Sequence, residues 1–61
     1  MVTIKFDTDN SAFRDSESPK EVDLNSVAAT VREVANKIEK GEMDGRVKDY
    51  NGNIVGTYKV R

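Results

Sequence analysis

The sequence predicts an α+β domain in the order strand, helix, strand, strand, with one amphipathic helix packed on a small three-stranded sheet that is expected to be antiparallel. Three observations predict it. A six-residue alternation opens the chain, Val2-Thr3-Ile4-Lys5-Phe6-Asp7. A helical apolar spacing runs through the middle, and two alternating runs flank Asn51-Gly52 near the end. The whole chain of 61 residues is read as a single domain, 1–61.

Apolar and polar residues alternating over 2–7 have the period of a half-buried strand, with Val2, Ile4 and Phe6 toward the core and Thr3, Lys5 and Asp7 outward. Residues 8–22 have no sustained period and are rich in Asp, Asn and Ser, which marks an acidic loop. Within it Phe13 is expected as a plug at the edge of the core, the alternative being an exposed binding anchor.

The helix is expected over 23–40. At about 100° per residue, Leu24, Val27, Ala28, Val31, Val34, Ala35 and Ile38 fall in one stripe. Asp23 suits the N-cap, because its carboxylate accepts from the unbonded amides of the first turn. Gly41 can adopt the left-handed conformation that closes the last turn. An earlier start with Pro19 as the first helical residue fits the capping pattern Ser18-Pro19-Lys20-Glu21, but it turns Val22 to solvent.

The hairpin is expected over 45–60 with its turn at 51–52. Asn-Gly suits a two-residue type I′ turn, since both central residues need positive φ. Tyr50 then pairs with Asn53 and Val47 with Gly56. Val47, Ile54, Gly56, Tyr58 and Val60 share the core face, whereas Arg46, Lys48, Tyr50, Val55, Thr57, Lys59 and Arg61 share the other. A three-residue loop would shift this register by one. The expected strand order is 2-3-1, with strand 1 parallel to strand 2 as the other order left open.

Composition bounds the chemistry. The chain has no Cys and no His, so it can form no disulfide and offers no imidazole or thiolate to a metal. Asp7 and Asp9 begin like a calcium loop, but Ala12 stands where the sharp turn wants Gly and Ser18 where a bidentate Glu is needed. No Gly-rich phosphate loop or nucleophile–base arrangement is present, so neither a cofactor nor catalysis is expected. No run approaches the ~18 apolar residues of a membrane span. At this length a single core seldom supplies more than ~3–5 kcal/mol, so a second copy of the chain, as a homodimer, is expected to supplement it.

Charge is distributed unevenly behind a net value of −1. Residues 7–23 hold six acids against Arg14 and Lys20; residues 46–61 hold four cations against Asp49 alone. The expected partner-binding residues are therefore Lys5, Arg46, Lys48, Tyr50 and Lys59 on the sheet, and Asp9, Asp15 and Glu17 in the loop.

Phe6 to Phe13, Val31 to Gly41 and Gly45 to Gly56 together resemble a family of very small proteins encoded by tailed bacteriophages and prophages. Arg14 to Asn25 looks like an insertion relative to it. The resemblance implies a protein acting in the host cytoplasm by binding and inhibiting or redirecting a host protein, defence enzymes included. It assigns no functional residue. A nucleic-acid-binding accessory protein using the basic sheet face, or a minor virion component, is the alternative reading.

Overall fold

A computed structural model describes residues 1–18 and 20–61. Strand β1 spans Val2–Phe6, a single 3-10 turn spans Ser11–Phe13, helix α1 spans Leu24–Glu39, and strands β2 and β3 span Asp44–Lys48 and Ile54–Val60. The three strands form one antiparallel sheet in the order β1-β3-β2, the expected 2-3-1 arrangement written from the other edge.

The ends of α1 are set by the residues that predicted them. Asp23 caps the N-terminus by accepting from the Asn25 amide and the Ser26 hydroxyl, both at 3.0 Å. Gly41, at φ 97°, donates its amide to the Ile38 carbonyl and closes the last turn. The alternative start at Pro19 falls on the one residue outside those described.

The helix is rolled relative to its apolar stripe. Val34 is 1% exposed and sits against Val47 and Tyr58, with Ile38, Phe6 and Val55 around them. Leu24 and Ala35, by contrast, are exposed, and Val31 remains 40% exposed. Thr30, which lies outside that stripe, is buried, and its hydroxyl donates to the Ser26 carbonyl at 3.0 Å. The roll brings Lys37 over the rim of the sheet, where its Nζ donates to the Arg46 carbonyl at 3.2 Å. Three narrow strands leave the opposite flank of the stripe uncovered.

The hairpin differs from the expected two-residue turn. The Asp49 amide donates to the Asn53 carbonyl and the Gly52 amide to the Asp49 carbonyl, each at 3.0 Å. Tyr50-Asn51-Gly52 is therefore a three-residue loop. Only Gly52, at φ 86°, is left-handed; Asn51 is not, which excludes type I′ and fits a type I turn closed by glycine. Residue by residue, this loop shifts the pairing by one, so that Lys48 lies opposite Ile54. A bulge then shifts it back, and Val47 faces Gly56 as the alternation predicted. Between the two shifts the side chains of Ile54 and Val55 trade places: Ile54 is exposed and Val55 packs on the core.

Gly56 is required where β1 crosses it. A Cβ there would stand 1.9 Å from the Lys5 carbonyl oxygen and 2.5 Å from the Phe6 Cα. Phe13 is fully buried, its ring 5.7 Å from that of Phe6, so it is the core plug the sequence suggested. At the far end of the sheet Met1 and Arg61 are hydrogen-bonded to each other in both directions.

Candidate functional site: the hairpin tip and acidic loop

The tip is organised by Asp49, a residue that alternation alone assigns to a strand. Its side chain is 6% exposed. Oδ1 accepts from the Asn51 and Asn53 amides at 2.9 Å, and Oδ2 from the Asn53 side chain at 3.3 Å and the Asn10 side chain at 2.7 Å. Burial by itself pushes this carboxyl up; the donors from Asn53, Asn10 and Asn51 together outweigh it and hold it below the ordinary 3.8. The tip is thus built around a charge that the fold keeps ionised.

Asn10 ties the tip to the loop. Its Oδ1 accepts from the Ala12 amide at 2.8 Å, capping the 3-10 turn, while its Nδ2 reaches Asp49. Arg14 fastens the rest: Nε donates to the Thr8 carbonyl at 3.1 Å, one terminal nitrogen to the Lys20 carbonyl at 3.3 Å, and the other to Asp9 at 3.1 Å. The Asp23 amide donates to the Phe13 carbonyl at 2.7 Å, and the Asp15 amide to the Glu21 carbonyl at 3.1 Å, so the segment returns to the start of α1 as a short paired arm.

Tyr50 projects from this scaffold and is 74% exposed. It forms one wall of an open groove of about 720 Å³ between the tip and α1, whose other walls include Asn25, Ala29, Glu33, Lys37 and Lys48. On its other side Tyr50 borders a shallower cleft with Ser11, Arg14, Asp15 and Ser16. The expected site residues therefore divide. Lys48 and Tyr50 meet at the tip, with Asp15 beside Tyr50 and Asp9 bound to Arg14. Glu17 is exposed farther along the loop, its amide donating to Asp15.

Lys5, Arg46 and Lys59 lie on the outer sheet face instead. Thr57 of β3 stands between Lys5 of β1 and Arg46 of β2 in one cross-strand row; the next row reads Thr3, Lys59, Asp44. Asp44 opens β2 opposite Lys59, one residue before the expected start of the hairpin at 45, and it dilutes the positive face. Val55, expected on that outer face, has turned inward. Tyr58, on the core face, is buried, and its hydroxyl is pushed up by that burial and by Glu42 and Asp44.

No protein-family model, curated protein or solved structure matches this chain. Among the described residues no group of three or more Asp or Glu side chains is gathered as a metal would need, and no helix is long and apolar enough to cross a membrane.

Proposed function

We propose that this protein acts by binding, docking its hairpin tip on a host protein that it inhibits or redirects, in the manner of small proteins made by tailed phages. One observation carries the reading: Tyr50 is a large, exposed aromatic held on a turn whose carboxylate anchor is buried and fully bonded. A large exposed aromatic carried on an already ordered backbone is the kind of side chain that dominates protein interfaces. Lys48 and Lys37 on one side of it and Asp15 on the other supply a mixed polar rim.

The basic outer face supports nucleic-acid binding less well. Single-strand binding sheets stack bases on aromatic rings, and here the two tyrosines lie at the tip and in the core, leaving cations without a stacking platform.

Affinity capture from host lysate, with and without nuclease and with wild type beside Tyr50→Ala and Lys59→Glu, tests the proposal. One dominant nuclease-resistant partner is expected, retained by Lys59→Glu and weakened roughly tenfold or more by Tyr50→Ala. Partners that vanish with nuclease, or that depend on Lys59 and fall steeply with salt, would replace it with the nucleic-acid reading.

A further inference from the structure

The two edges of the sheet are treated differently. On β2 the residues bonded to β3 are odd-numbered, as the Val60 amide bonded to the Met43 carbonyl shows, so the groups of Asp44, Arg46 and Lys48 point outward. That rim is charged, with Asp44, Arg46 and Lys48 along it, and Lys37 of α1 donates to the Arg46 carbonyl. On β1 the residues bonded to β3 are also odd-numbered: Met1 exchanges both bonds with Arg61, and the Asp7 amide reaches the Val55 carbonyl. The amides and carbonyls of Val2, Ile4 and Phe6 therefore point away from the sheet. Among the described residues, nothing is hydrogen-bonded to that side.

The same edge is apolar. Val2 is exposed and Ile4 is 38% exposed on the core face. The chain is elongated, 38 × 18 × 15 Å, and exposes 4677 Å² where a folded monomer of its mass exposes roughly 4000 Å², so it leaves more surface for a second copy to bury than a compact monomer would.

We infer that β1 is the interface for a second copy of this chain, the two β1 strands pairing antiparallel about a two-fold axis at Ile4 to make one six-stranded sheet. This register engages all three outward residues. Val2 lies opposite Phe6 of the other copy and Ile4 opposite Ile4, which closes a row of apolar side chains on the core face. On the outer face Lys5 meets Thr3. A register centred on Lys5 would set two cations directly opposite each other, and one centred on Thr3 would leave Phe6 without a counterpart. The tip with Tyr50 takes no part in this edge.

The 61-residue chain is within reach of total synthesis, so the pairing can be tested at one atom. An N-methyl group on Ile4 removes an outward donor and leaves every bond to β3 in place. Sedimentation equilibrium from about 10 μM to about 1 mM is expected to show a dimer for the unmodified chain and dissociation at least roughly tenfold easier for the methylated one. In the unmodified chain, amide exchange at Val2, Ile4 and Phe6 should slow as concentration rises, a readout that does not depend on a variant folding. A chain monomeric throughout that range would overturn the inference and leave the edge to a strand from another protein. A dimer whose Ile4 amide exchanges at the same rate at every concentration would overturn it too, placing the contact elsewhere.

Discussion

Asp49 shows what a single ionised group does when the chain closes around it. Its folded-state pKa lies below the unfolded value, so the stability it contributes is complete above about pH 4 and is lost as the pH falls through the folded value. Asp49→Asn turns an acceptor into a donor facing the Asn10 and Asn53 side-chain amides. It is expected to lower the melting temperature by several degrees at pH 7 and to flatten the acid limb of the melting profile, which circular dichroism at pH 2–7 would record. A pair of substitutions separates the two sides of α1. Val34→Asp places an unpaired charge in the centre of the core and should abolish the cooperative melt, whereas Val31→Asp, on the half-exposed flank, should leave the monomer folded. Gly56→Ala forces a methyl group into the β1 backbone, beyond the ~1–3 kcal/mol of ordinary overpacking, and is expected to leave the chain largely unfolded.

Elements were legible in the sequence to the extent that their determinants are local. Asp23 and Gly41 lie within a turn of the ends they set, and the 100° spacing between them is a property of the helix itself. The turn was not legible, since the contact that favours a three-residue loop comes partly from Asn10, distant in sequence and near only after folding. Nor was the roll of α1, which buries Thr30 while leaving Val31 half exposed and is decided by the sheet that the helix packs on. The turn makes its own prediction. Gly52→Ala strains a left-handed position and should cost about 1 kcal/mol, while Asn51→Gly loosens the unfolded chain without relieving any strain and should destabilise slightly rather than help, as chemical denaturation would show. For the candidate site, the charged and aromatic character of the named residues was legible in the sequence. Their division between tip and outer face was not, because the loop's shift and the bulge decide which side Val55 and Ile54 take.

At the scale of the molecule, the acidic segment is more than a solvated loop. Arg14 gathers Thr8, Asp9 and Lys20 around one guanidinium and holds the loop against the 3-10 turn, so Arg14→Ala should release the segment and raise amide exchange at Asp15 and Asp23 more than tenfold while β1, β2 and β3 stay protected. The other end of the molecule is simpler, and it carries a different consequence. Met1 and Arg61 flank the neighbouring strands β1 and β3, bonded to each other as a pair within a ladder would be. A two-residue turn could join them into a covalent circle without moving a strand, and by loop-closure entropy such a ring could gain up to about 4 kcal/mol against unfolding. Cutting that ring between Glu17 and Ser18 would yield a permuted chain in which helix, hairpin and first strand follow one another in sequence. The order in which the ribosome writes these four elements is then one of several that this same sheet and helix would accept.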